Sequence, residues 1–128
     1  MLQPKTESVS VVIPARNEAQ SLEMLLPDLQ RALSPDTEVI VVNDGSTDNT
    51  EAVCATHGVR MVSHPFPRGN GAAVKTGARA AKGDILVFMD ADGQHQPKDI
   101  VRLLEKLYDC FDMVVGARQL GSQAGTHR

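Results

Sequence analysis

Short apolar runs and helical stripes alternate along this chain. Val9-Ser10-Val11-Val12-Ile13 is β-branched, stops at Pro14 and predicts a strand. Leu22, Leu25, Leu26, Leu29 and Leu33 then recur at helical spacing. Pro27 lies inside that stripe and should kink or divide the helix, because it removes a backbone donor. Glu38 to Asn43 is a second strand, apolar on both faces. Asp44-Gly45-Ser46-Thr47 is a turn, Asp48 and Glu51 have the spacing of a capping box, and a helix through Val53 and Cys54 should close at Gly58. Val59 to Ser63 is a third strand, and the following loop carries Pro65, Pro67, Gly69 and Gly71.

Residues 72–82 predict a helix with a small-residue face of Ala73, Gly77, Ala78 and Ala81, ended by Gly83. Ile85 to Met89 is a fourth strand, expected to be central because neither face is polar. After the loop Asp90 to Gln96, Pro97 suits the first position of a helix with the stripe Ile100, Leu103, Leu104, Leu107 and Phe111. Met113-Val114-Val115 is a fifth strand. This alternation predicts an α/β fold: a mostly parallel twisted sheet with helices on both faces. Ligands of such sheets bind beyond the carboxyl ends of the strands.

Those ends carry Pro14-Ala15-Arg16-Asn17-Glu18, Asp44-Gly45-Ser46-Thr47-Asp48, Arg68-Gly69-Asn70-Gly71 and Asp90-Ala91-Asp92-Gly93-Gln94-His95. The opposite edge has plain connectors such as Ser34-Pro35-Asp36 and Lys82-Gly83. Asp90 and Asp92 alternate at the end of a buried strand, where an unpartnered carboxylate is costly. With Gln94 they form a hard oxygen set suited to Mg²⁺ or Mn²⁺. An isolated DxD is usually a solvated turn; its place after this strand favours the metal reading. Gly69 to Thr76 narrowly misses both a P-loop and a GxGxxG, since Val74 stands where a glycine is required. The histidines 57, 64, 95 and 127 have no metal-ligand spacing, and no GxSxG elbow is present.

Composition narrows the class without changing the fold. The 128 residues suit one domain, 41% hydrophobic and 23% charged, and exclude disordered, collagen-like and coiled-coil chains. A net charge of −3 argues against nucleic acid as a partner. Cys54 and Cys110, with no CxxC, predict two buried thiols in a reducing compartment. The longest apolar run is far short of the roughly 20 residues that span a bilayer, and no leader pattern opens the chain.

Together these motifs resemble the family 2 glycosyltransferases with the GT-A (Rossmann-like) nucleotide-sugar fold. Val11 to Glu18 resembles the family's VVIPxxNE, Val41 to Asp48 its VVDDGSxD, Arg68 to Gly77 its glycine-rich block, and Met89 to Asp92 its DxD. Asp90 to His95 followed by Pro97 is most similar to the polyprenyl-phosphate sugar synthase branch, the dolichol-phosphate mannose synthase type. The resemblance implies that Pro14, Ala15, Asn17 and Glu18 line the nucleotide pocket and that Asp44 meets the base or ribose. It adds Gly71, Lys75 and Ala91 to the nucleotide-sugar contacts, and brings Arg118 to the diphosphate. Gln119 replaces the aromatic that usually follows that arginine. Asp90, Asp92 and Gln94 would hold Mg²⁺ or Mn²⁺, so that Asp90 and Asp92 act in catalysis through metal and diphosphate. No general base is found.

The implied reaction is inverting transfer of a sugar from a nucleotide-diphosphate donor, with a lipid phosphate at a membrane surface as acceptor and a cytoplasmic or peripheral location. The expected organisation is a disordered 1–8, a truncated nucleotide-sugar-binding domain over 9–118 and a tail over 119–128, with self-association through the C-terminal part, where the helix from Pro97 and the strand Met113 to Val115 would leave an apolar surface or open edge. A non-catalytic binding or regulatory module is the alternative. A nucleotidyltransferase ranks third, because Pro14 to Glu18 contains no glycine.

Overall fold

The computed structural model describes residues 8–92 and 97–109. Four strands alternate with four helices: β1 (Val9–Ala15), α1 (Ala19–Ala32), β2 (Glu38–Asp44), α2 (Thr50–Thr56), β3 (Arg60–His64), α3 (Asn70–Ala80), β4 (Ile85–Phe88) and α4 (Pro97–Asp109). The sheet is parallel throughout, in the order β3-β2-β1-β4. The chain thus winds outward from β1 to β3 and returns through α3 to the other side of β1. Where the winding reverses, between β1 and β4, the connections leave a crevice at the carboxyl ends.

Both sheet faces are apolar and covered. Val11, Ile13 and Val41 face α1 and α2, packing with Leu22, Leu26, Leu29 and Cys54, while Ile100 brings in α4. Val12, Ile40 and Val42 face α3 and meet Ala73. A strand buried on both faces cannot alternate, which is why these runs are continuous. Helix α3 lies tight on the sheet because Gly77 has no side chain: a Cβ there would stand 2.2 Å from Val12 Cγ1 and 3.1 Å from Val42 Cγ2. Of the expected small-residue face, Ala73 and Gly77 are buried, whereas Ala78 and Ala81 are only partly covered.

Several local expectations shift. Strand β1 continues through Pro14 to Ala15. The Val12 carbonyl accepts from the Met89 amide, so by alternation Pro14 turns its missing donor toward the side where β4 has already ended. Pro27 does not divide α1; the carbonyl it leaves unbonded belongs to exposed Glu23, where water can reach it. Helix α3 begins two residues earlier than its pattern predicted. Helix α2 closes as expected, with the Gly58 amide bonding the Ala55 carbonyl and Val59 that of Cys54. Asp48 is not the N-cap of α2, since Asn49 holds that place.

The described sheet gives β4 a single neighbour, β1, so its expected central position is not reached there. The fifth strand, Cys110, the first seven residues and the tail from 119 lie outside the described residues, as do the side chains of Leu103, Leu104, Leu107 and Phe111. Cys54 is buried, and burial pushes its thiol up to about 11, which leaves it unreactive.

Candidate active site

Two loops at the carboxyl edge are stitched together by short polar side chains. Asn17 has a left-handed backbone (φ 56°), a conformation its side chain tolerates. Its amide donates to Ser46 Oγ at 2.9 Å, and its Oδ1 accepts from the Thr47 amide at 2.7 Å and the Asp48 amide at 3.2 Å. Asp48 answers by accepting the Ala19 amide at 3.1 Å, at the start of α1, and the Thr50 amide at 3.0 Å, at the start of α2. One carboxylate thus serves two helix N-termini, where negative charge is favourable.

Beside this seam the switch point opens into a cavity of about 390 Å³, within the range of small-ligand sites. Strand β1 and its loop contribute Pro14, Ala15, Arg16 and Glu18, and β2 contributes Asp44. The start of α3 contributes Gly69, Asn70 and Ala73, and the segment after β4 contributes Asp90, Ala91 and Asp92. Of the residues expected at a nucleotide sugar, the fold therefore gathers Pro14, Ala15, Glu18, Asp44, Asp90, Ala91 and Asp92 around one space. Asn17, Gly71 and Lys75 are not among its lining: Asn17 is spent on the seam, and Gly71 and Lys75 point to exposed positions on α3. Gln94, His95 and Arg118 lie outside the described residues.

Arg16, Gly69, Asn70 and Ala73 join the lining beyond the residues expected to contact the nucleotide sugar. Arg16 was legible, being the cation of the first strand-end loop; the other three depend on how α3 crosses the sheet. A larger hollow of about 480 Å³ lies at the opposite edge, near Leu33 and Pro35. It brings no acidic groups together, and its Arg60 is committed to Glu38 and the Ala80 carbonyl.

Asp44 is the buried anchor of the cavity wall, only 5% exposed. Its Oδ1 accepts from His64 Nδ1 at 2.8 Å and from the Arg68 amide at 2.8 Å, and its Oδ2 from the Gly69 amide at 2.9 Å. Burial pushes this carboxyl up, but the bonds from His64 and the two amides outweigh it and hold the group below its ordinary value. Asp48 and Glu38 are likewise lowered: burial raises each, and hydrogen bonds from Thr50 and Ala19, or from Lys82, Ser10 and Arg60, more than compensate.

A carboxyl depressed in the folded state adds stability that is complete above its unfolded pKa, near 4. That stability disappears as pH falls through the folded values. The melting temperature should therefore hold from pH 7 to about 5 and drop steeply below about pH 4. Asp44→Asn should flatten part of that drop in a thermal series; equal slopes in the two proteins would count against this assignment.

The charges around the cavity constrain its ligand. Its described lining carries four carboxylates, Glu18, Asp44, Asp90 and Asp92, against the guanidinium of Arg16, so the wall is acidic. An anionic ligand would be repelled unless a cation entered with it. Among the described residues no three His, Cys, Asp or Glu side chains converge as a metal cage. Asp90 and Asp92 offer two hard oxygen donors beside a space large enough for a ligand's own oxygens. That set fits Mg²⁺ or Mn²⁺, which take one or two carboxylates and complete their shell from phosphate and water.

Comparison with known proteins agrees with this architecture. The family model described as Glycosyl transferase family 2 matches residues 10–128. The chain is 36% identical over 115 residues to a dolichol-phosphate mannosyltransferase of Pyrococcus furiosus, covering 86% of this chain and 33% of that protein. It is 41% identical over 115 residues to an undecaprenyl-phosphate 4-deoxy-4-formamido-L-arabinose transferase of Aeromonas hydrophila, covering 83% of this chain and 35% of that one. Its fold resembles a mannosyltransferase from Pyrobaculum calidifontis solved with GDP-Man and Mn²⁺, with a TM-score of 0.65, 31% identity, and coverage of 70% of this chain and 28% of that chain. The chain spans about a third to a half of the length of the curated relatives it matches.

Proposed function

The chain belongs to glycosyl transferase family 2, and from that membership we propose that it forms the donor-binding part of an enzyme transferring a sugar from a nucleotide-diphosphate sugar to a polyprenyl phosphate. The observation that carries this reading is the acidic cavity at the β1/β4 switch point, which Asp90 and Asp92 line together with Asp44. Relatives named for dolichol and undecaprenyl phosphates support the lipid-phosphate acceptor and a peripheral place at the cytoplasmic membrane face.

In this mechanism Asp44 and the Gly69–Asn70 wall receive the nucleoside, and Pro14 and Ala15 form the floor at the end of β1. Asp90 and Asp92 would hold a divalent cation, which would supply positive charge against the departing diphosphate. Among the described lining residues, Arg16 supplies the positive side chain. The acceptor oxygen attacks the anomeric carbon on the face opposite the diphosphate, so configuration inverts. A phosphate acceptor is ionised near neutral pH and needs no base to lose a proton.

Melting in the presence of GDP, UDP or dTDP, with Mn²⁺ or with chelator, tests the reading. One of them should stabilise the fold by about 2.7 kcal/mol at 100 times its dissociation constant, and only with metal. Equal shifts with metal and chelator would refute the metal-linked site. A module that binds donor without transferring sugar is the second reading. Labelled donor with a polyprenyl phosphate separates the two: the module would hold the donor without turnover.

A further inference from the structure

His64, the last residue of β3, is drawn into the cavity wall by register, since it pairs directly with Asp44 at the end of β2. Its ring is buried, 6% exposed, beneath α3. Nδ1 lies 2.8 Å from Asp44 Oδ1, and Nε2 lies 2.8 Å from Thr76 Oγ1 on α3. An ionised carboxylate can only accept, so Nδ1 carries the proton and donates to Asp44. The Thr76 hydroxyl can then donate to the lone pair of Nε2, and every polar atom of the buried ring is satisfied.

We infer that His64 is a positioning residue for the nucleoside end of the donor, a role that rests on reading the cavity as a nucleoside diphosphate site. Among the described residues, Asp44 Oδ1 is engaged by His64 and the Arg68 amide, while Oδ2 takes only the Gly69 amide. A carboxylate oxygen accepts about two hydrogen bonds, so Oδ2 retains one acceptor site, on a residue that lines the cavity. His64 pins the opposite oxygen to α3 through Thr76 and so fixes the plane in which Oδ2 is presented. The amides of Arg68 and Gly69 hang from the same carboxylate, so the ring also sets the wall that runs into Gly69 and Asn70. No step of the transfer passes through the imidazole.

Two amide variants divide the ring's contacts. His64→Asn keeps a donor where Nδ1 stands and loses the reach to Thr76. His64→Gln keeps the reach to Thr76 and loses the donor to Asp44. With Mn²⁺ present, calorimetry should show His64→Gln binding the preferred nucleoside diphosphate roughly 10-fold more weakly than the parent, with inorganic diphosphate changed less than about 2-fold. His64→Asn should restore nucleoside diphosphate binding to within about 3-fold of the parent. In the ligand-free proteins, hydrogen exchange at the Arg68 and Gly69 amides should accelerate in His64→Gln and not in His64→Asn. Equal weakening of both ligands, or equal behaviour of the two variants, overturns the inference. Unchanged exchange in His64→Gln overturns it even if the donor site stands. A parent protein that binds inorganic diphosphate and no nucleoside diphosphate overturns the donor reading itself, whatever the exchange shows.

Discussion

Replacing Asp90 and Asp92 together by asparagine is expected to abolish metal-dependent nucleotide binding while leaving the fold intact. Both side chains are exposed at the mouth of the cavity, so neither supports the core. Asparagine keeps their shape and an oxygen but removes the two charges that would draw in a divalent ion. Loss of supporting groups around a metal already costs 10- to 100-fold in affinity, so loss of both carboxylates should cost at least about 100-fold, roughly 2.7 kcal/mol. The described cavity lining meanwhile loses two of its four carboxylate charges. Binding in chelator should therefore stay the same or tighten slightly, opposite to the change in Mn²⁺. Calorimetry with and without chelator reads both arms, and a double variant that keeps its Mn²⁺ dependence would remove this pair from the site.

Gly45→Ala should strongly destabilise the fold. Gly45 follows Asp44 with φ +70°, a left-handed backbone that costs other residues about 1–2 kcal/mol. A Cβ there would lie 2.4 Å from the Pro67 backbone nitrogen and 2.6 Å from the Phe66 carbonyl carbon. Backbone atoms cannot rotate aside as a flexible side chain can, and overpacking of this kind costs about 1–3 kcal/mol. Together the two effects remove about 2–5 kcal/mol from a domain whose whole stability is on the order of 5–15 kcal/mol. The loop that must move leads directly to Arg68 and Gly69, so the Asp44 wall should loosen with it. Urea unfolding should show a lower midpoint at an unchanged slope. A loss below about 1 kcal/mol would mean that the two loops are not held this closely.

The contrast between Asp44 and Asn17 shows where sequence reasoning stops. Both stand in strand-end loops and both were expected at the ligand. Asp44 lines the cavity, yet three of its acceptor positions serve His64, Arg68 and Gly69. Asn17 instead ties its loop to Thr47 and Asp48. Nothing local distinguishes them, because the partners lie 20 to 31 residues away in the chain. Asp48 misled in the same way: its spacing to Glu51 suggested a capping box, but the Ala19 amide that it accepts comes from a different helix.

Local physics made most of the scaffold legible. A β-branched run such as Val39 to Val42, followed by the Asp44–Gly45 turn, reads as a buried strand, and Leu22, Leu25, Leu26 and Leu29 share one side of any helix they form. The closure of α2 at Gly58 and the two carboxylates directly after β4 follow from neighbours in the chain. By itself, then, the sequence determined the alternation of elements, the parallel covered sheet and the edge that bears the chemistry. The tertiary structure alone decided the order β3-β2-β1-β4, the extension of β1 through Pro14, and which polar groups face the cavity rather than each other. Those depend on register and on the path of α3 across the sheet, which bring His64 to Asp44 and Thr76 to His64. Such contacts join residues whose local sequences carry no record of one another.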